Sequence, residues 1–201
     1  MKTGLRIALA LLALLVLATA AVLVWSWAPD RPTAELEQRW AQPPSTFIEV
    51  EGLRVHLRDE GPAGDPTPIV LIHGTSASLH TWDGWTEALR TNRRVIRFDL
   101  PGFGLTGPNA PDDYSMAVYV HFVLALLDQL GVQRFVIGGN SLGGEVAWAT
   151  VHAAPQRVER LILVDAAGYA FEPESVPLAF RAAALPGLRA LMGHLLPPGM
   201  V

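Results

Sequence analysis

Gly139-Asn140-Ser141-Leu142-Gly143 carries the clearest chemical signal in the chain. The pattern Gly-x-Ser-x-Gly suits a serine held on a sharp turn between a strand and a helix. Such a turn lifts the Ser141 hydroxyl clear of the carboxyl end of a sheet, and the two glycines let neighbouring backbone pass closely. The chemistry it serves is nucleophilic attack on a carbonyl carbon. Leu142, first in the following helix, offers a backbone N–H where an oxyanion would form. His73-Gly74-Thr75 follows an apolar run and can place the Thr75 N–H opposite that of Leu142, completing an oxyanion hole. His73 reads as a turn histidine and not as a base, because it stands on an interior strand ahead of the nucleophile. Ser76, Ser78 and His80 continue the loop. Ser76 and Asn140 are the candidates for contact with substrate.

Other chemistries are excluded or unsupported. There is no cysteine, so no thiolate nucleophile and no Cys-ligated metal. No His-x-x-x-His pair is present, and neither metal nor organic cofactor is expected. Gly102-Phe103-Gly104-Leu105-Thr106-Gly107 fits a dinucleotide fingerprint, but Pro108-Asn109-Ala110-Pro111 follows, so no helix opens there to hold a pyrophosphate. The net charge of −4 argues against a nucleic-acid partner, which calls for a basic stripe.

The elements needed to position Ser141 can be read from the pattern. Residues 46–50 and 53–58 alternate around Glu51-Gly52, as a β-hairpin does. Residues 68–72 form a continuous apolar run, the mark of a strand buried on both faces. Residues 94–98, 134–138 and 161–164 are further strands. Helices are predicted over 81–89, 115–130 with Gly131 as the stop, and 142–154. Strands alternating with helices imply an α/β fold with a mostly parallel, doubly wound sheet. There is no internal repeat.

A mean hydropathy of +0.28 is high for a soluble domain. Its source is residues 7–28, which carry no charge. As a helix they would extend ~33 Å, enough to cross a bilayer core. Lys2 and Arg6 precede the run, Trp25 and Trp27 sit at its far end, and Pro29 and Pro32 stop it. The expected organisation is a signal-anchor helix over 1–28, a linker over 29–44, the core over 45–168, and a further segment over 169–201. The lipid bilayer would be a partner through residues 7–28, with the domain on the extracytoplasmic side. A cleaved signal peptide, ending near Ala18-Thr19-Ala20, is the alternative; it would yield an exported product.

Four segments in order resemble the α/β-hydrolase superfamily, in the group that includes esterases, carbon–carbon-bond hydrolases, epoxide hydrolases and haloalkane dehalogenases. They are His73-Gly74-Thr75-Ser76-Ala77-Ser78, Phe98-Asp99-Leu100-Pro101-Gly102-Phe103-Gly104, Gly139 to Gly144, and Leu163-Val164-Asp165-Ala166-Ala167-Gly168. The resemblance covers 46 to about 170. It implies the α/β-hydrolase fold, Ser141 as nucleophile, Leu142 and Thr75 as oxyanion donors, and a pocket under a helical lid that 169–201 would begin. A serine at this position points to ester, thioester, lactone or C–C cleavage of a small molecule. Asn140 resembles the C–C hydrolase pattern but also occurs in esterases.

The superfamily places an acid and then a histidine after the serine. Here the later histidines are His152, inside the elbow helix, and His194, and neither ends a strand. Asp165 does end a strand and is the candidate acid. The expectation is a C-terminally truncated sheet lacking its last strands and most of the lid, with Ser141 unactivated and only residual catalysis. The leading reading is a serine hydrolase working through an acyl-enzyme. A C–C-bond hydrolase is one alternative, and a non-catalytic, membrane-tethered remnant or binding protein is another.

Overall fold

The apolar runs form the middle of the sheet because both of their faces are covered. The computed structural model describes residues 2–28, 31–170, 176, 178–185, 187–188 and 194–195. Within it β3 (Ile69–Ile72) and β4 (Val95–Phe98) are buried along their whole length, and β5 (Phe135–Asn140) along all but its last residue. β1 (Thr46–Val50) and β2 (Leu53–Glu60) make the expected hairpin. Glu51 and Gly52 both have positive φ, as a two-residue turn matched to strand twist requires. β6 (Val158–Val164) completes a sheet of order β1-β2-β4-β3-β5-β6. β1, β2 and β4 pair antiparallel; β4, β3, β5 and β6 run parallel.

The helices cover the two faces. α4 (Met116–Gln129) turns Tyr119, Phe122, Val123, Leu126 and Leu127 onto Phe98, Phe135 and Ile137, a helical spacing of apolar residues meeting a strand spacing. α5 (Leu142–Ala153) joins the same layer through Val146 and Ala147. On the other face Trp82 and Leu89 pack against Ile69, Leu71, Val95 and Val136. These residues belong to a 3₁₀ turn (Leu79–Trp82) and to α3 (Asp83–Leu89). The sheet is therefore doubly wound, as its sequence pattern predicts. β6 lies at an edge of the described sheet, with Leu161 and Leu163 each 38% exposed.

Element ends differ from the sequence reading where tertiary partners intervene. The helix predicted from Thr81 opens as a 3₁₀ turn at Leu79, because the Leu79 N–H donates to Asp99 Oδ1 (2.8 Å). β6 starts at Val158 and β5 runs on to Asn140, so these two strands pair over their full length. α2 (Thr33–Trp40) forms within the segment expected as a linker, and Glu37 is tied to Arg54 of β2 (2.6 Å).

The chain divides into two compact units, Thr33–Tyr169 and Met1–Pro32 with Ala170–Val201. The first holds the sheet and α2 to α5. The second contains α1 (Lys2–Trp25), whose span Thr3–Trp25 has a mean hydropathy of 3.0 with none of it buried. Its length and composition suit a membrane span and a signal sequence alike. In the same unit α6 (Leu178–Ala183) is the helix found within the predicted lid segment, whose residues 171–175, 177, 186, 189–193 and 196–201 lie outside the described ones.

Candidate active site

Strand order fixes where a site can form. From β3 the chain steps to β4 on one side, then crosses back to β5 on the other side of β3. Loops leaving β3 and β5 therefore diverge at their carboxyl ends and open a crevice between them, the place where open α/β sheets bind ligands. Gly74 leaves β3 there and Ser141 leaves β5 there. A Cβ on Gly74 would stand 3.1 Å from Ser141 Cβ and 2.9 Å from Asn140 Oδ1, so the two loops touch.

Ser141 has φ 52 and ψ −119, a conformation that L-residues rarely adopt. Surrounding contacts hold it there. Its N–H donates to Val164 O (3.2 Å), and its carbonyl accepts from Gly144 (3.0 Å), Glu145 (3.1 Å) and Ala167 (2.9 Å). The turn is possible only because its flanks are bare. A Cβ on Gly139 would collide with the Gly143 carbonyl, and one on Gly143 with the carbonyls of Ile72 and His73. The glycine spacing noticed in the sequence is thus a packing requirement of α5 against the ends of β3 and β5.

The N–H of Leu142 opens α5 and has no intrahelical acceptor. Thr75 is exposed, and its N–H has no acceptor among the described residues. Ser76 is exposed at φ 57. Asn140 Nδ2 donates to Val164 O (3.1 Å), linking the ends of β5 and β6. Asp165 is exposed at φ 47 and has no hydrogen bond or ion pair among the described residues.

None of the described histidines meets Ser141 through a hydrogen bond to its Oγ. His152 is exposed on α5. His194 stacks on Trp27, ring centroids 5.0 Å apart, within the unit that holds α1. His121 faces Glu51 (2.9 Å). No group of three or more metal-ligating side chains occurs among the described residues.

His73 is fully buried, and its role is in the loop. Leu100 N–H donates to its Nε2 (3.0 Å), so its proton sits on Nδ1, which donates to Gly74 O (2.8 Å). The ring thereby pins the carbonyl next to the Thr75 N–H. Burial pushes the His73 pKa below its ordinary 6.5, against the opposing pull of the Gly74 carbonyl and the Asp99 charge. A histidine depressed in the folded state contributes stability that is complete above the unfolded pKa and shrinks as pH falls below it. Thermal unfolding of the full chain in nanodiscs should therefore show a midpoint falling from pH 7.5 to 5. His73→Asn should flatten that slope, by up to ~1.4 kcal/mol per pH unit. Parallel profiles would assign the slope to other groups.

A second set of residues supports the crevice, and pattern reading did not find it. Asp99, at the end of β4, is 1% exposed. Its Oδ1 accepts Leu79 N–H (2.8 Å), and its Oδ2 accepts Leu105 N–H (2.9 Å) and His56 Nδ1 (2.8 Å). His56 Nε2 in turn meets Ser45 Oγ (2.9 Å). Asp99 thus fastens the loop after β3, the loop after β4 and the hairpin to one carboxylate. A Cβ on Gly104 would run into that carboxylate. Of the Gly-x-Gly that imitates a dinucleotide fingerprint, Gly104 makes room for Asp99 and Gly102 for the Tyr114 ring.

Comparison with known proteins bears on this arrangement. A family model described as alpha/beta hydrolase fold matches residues 67–193. The 2-hydroxymuconate semialdehyde hydrolase of Pseudomonas sp. (strain CF600) is 37% identical over 127 residues, 62% of this chain and 44% of that protein. The 2-hydroxy-6-oxo-2,4-heptadienoate hydrolase of Pseudomonas putida is 36% identical over 124 residues, 60% of this chain and 44% of that protein. Among solved structures, a mutant meta-cleavage product hydrolase superposes with a TM-score of 0.62 at 32% identity, covering 68% of this chain and 49% of that one. A membrane phospholipase A, described as a novel bacterial virulence factor, superposes with a TM-score of 0.63 at 27% identity, covering 92% of this chain and 57% of that one. The chain spans less than half the length of the curated relatives it matches. With the switch-point crevice, the strained serine and the matched residues taken together, the chain belongs to the alpha/beta hydrolase fold family.

Proposed function

We propose that the protein is a membrane-anchored serine hydrolase that cleaves an ester of a small molecule through an acyl-enzyme. The observation that carries this reading is Ser141, held at φ 52 over the crevice between β3 and β5. Its Oγ bonds to the carbonyl carbon while its proton passes to a base that is not among its described hydrogen-bond partners. The N–H groups of Leu142 and Thr75 hold the oxyanion; the alcohol leaves with a proton, and water then releases the acid. Lys2 and Arg6, in the first turns of α1 ahead of its uncharged run, favour the orientation that puts the domain outside the cytoplasm.

The test is labelling of the full-length protein in its membrane by a fluorophosphonate. A bond forms from Ser141 Oγ to phosphorus, fluoride leaves, and the serine proton goes to the base. Stoichiometric labelling that disappears in Ser141→Ala is expected. An intact, folded protein that takes no label would overturn the nucleophile and favour a non-catalytic, membrane-tethered role.

The names of the relatives, hydrolases of semialdehyde and dienoate substrates, favour a second reading, hydrolysis of a carbon–carbon bond. Release of an acid from a vinylogous diketone, measured against turnover of a simple ester, separates the two.

A further inference from the structure

We propose that a cavity between α2 and the loops after β3 and β4 holds the acyl chain of the substrate, and that this substrate is an ester of a short, unbranched aliphatic acid. The proposal rests on the reading of Ser141 as nucleophile and adds what that nucleophile would act on.

The cavity measures about 250 Å³. That is just below the ~300 Å³ at which pockets for whole ligands begin, so it takes part of a substrate. At ~30 Å³ per water it equals about eight waters, the bulk of a chain of roughly six carbons. Leu36 and Trp40 of α2 form one wall and Leu105 another. His56, Asp99, Ser78 and His80 add polar groups to the lining.

The polar atoms of that lining are already committed. Both Asp99 oxygens accept protein N–H groups, and His56 lies between Asp99 and Ser45. His80 meets Asp83 through Nδ1 (3.2 Å) and Trp40 O through Nε2 (3.0 Å). Ser78 is the exception: it precedes the 3₁₀ turn without a side-chain cap, and its hydroxyl has no partner among the described residues. A water in the cavity would want two to four partners and finds the Ser78 hydroxyl and the one acceptor site left on Asp99 Oδ1. Displacing such poorly held water with methylenes is favourable.

The position fits the chemistry. Ser78 lies three residues beyond Thr75 on one loop, and three residues span at most ~10 Å. An acyl chain seated against Ser78 would direct its carbonyl end along that loop toward the Thr75 N–H. Leu36 and Trp40 stand outside residues 67–193, the part that matches the family model.

The experiment compares p-nitrophenyl acetate, butanoate, hexanoate and decanoate on the full chain in nanodiscs, with Leu36→Trp to fill the cavity and Trp40→Ala to open it. For the unaltered protein kcat/KM should rise about fourfold per methylene up to hexanoate. Leu36→Trp should collapse the hexanoate-to-acetate ratio toward one, and Trp40→Ala should move the optimum to longer chains. Unchanged ratios in both variants would overturn the proposal. Saturation-transfer NMR of hexanoate on Ser141→Ala supplies a readout free of catalysis. Saturable binding, lost when Leu36→Trp is added, supports the cavity even if no ester is turned over, in which case the Ser141 reading alone fails. No saturable hexanoate binding overturns the cavity.

Discussion

Ser141→Gly is expected to abolish hydrolysis and yet to unfold at a higher temperature than Ser141→Ala. Both substitutions delete the proposed nucleophile, and removing a nucleophilic serine from such a site lowers kcat by roughly 10⁴-fold or more. They differ in the backbone. At φ 52 and ψ −119 a residue with a Cβ carries strain of about 1–3 kcal/mol. Alanine keeps that strain and glycine releases it. Glycine gives back ~0.4–1 kcal/mol through the freedom of the unfolded chain. The net gain is about 1 kcal/mol, or roughly 2–4 °C for a chain of this size. Thermal melts of the three proteins, run beside ester hydrolysis, read both halves. Equal melting temperatures for the two variants would mean that no strain is stored at the turn. Undiminished turnover by Ser141→Ala would remove it from the mechanism.

The strain also explains why the elbow is legible in the sequence. A backbone this unusual demands bare flanks, and Gly139 and Gly143 are the record of that demand. The interior strands are legible for a similar reason, since a strand covered on both faces must be apolar throughout, as Ile69–Ile72 is. What resists reading is partnership at long range. In β2, Leu53, Val55 and Leu57 fall on one parity and Arg54, His56 and Arg58 on the other, so alternation assigns His56 to an open face. It is 1% exposed, because the loop after β4 folds over that face and Thr106 Oγ1 accepts the His56 N–H (3.1 Å). The pairing Leu57↔Phe98 then brings His56 beside Asp99, 43 residues away. The parity of a strand says which way a side chain points, and only the register between strands says what it meets. One cue was present: a glycine two residues after another, just past an aspartate that follows a strand, with no helix to follow.

The same logic ranks the carboxylate above the serine for stability. Asp99→Ala is expected to cost about 4 kcal/mol of stability. It strands three buried donors, His56 Nδ1, Leu79 N–H and Leu105 N–H, at ~1–3 kcal/mol each before relaxation. For a chain of this length the midpoint should fall by roughly 8–16 °C. Asp99→Asn should fall in between, because its amide keeps one acceptor oxygen and turns a donor toward donors. Acid should reproduce the loss. Burial pushes the Asp99 pKa up, but hydrogen bonds from His56, Leu79 and Leu105 more than offset it and hold the carboxyl below its ordinary 3.8. A carboxylate depressed in the folded state stabilises fully above the unfolded pKa, and that contribution drains away as pH falls through the folded value. The acid limb below about pH 4 should therefore be shallower in Asp99→Asn than in the unaltered protein. His56→Ala combined with Asp99→Ala should cost less than the sum of the two, since the first loss already removes one stranded donor of the second. Strict additivity would show that the carboxylate acts through the two loop amides alone, and a midpoint unmoved by Asp99→Ala would show that the loops after β3 and β4 are held by other contacts.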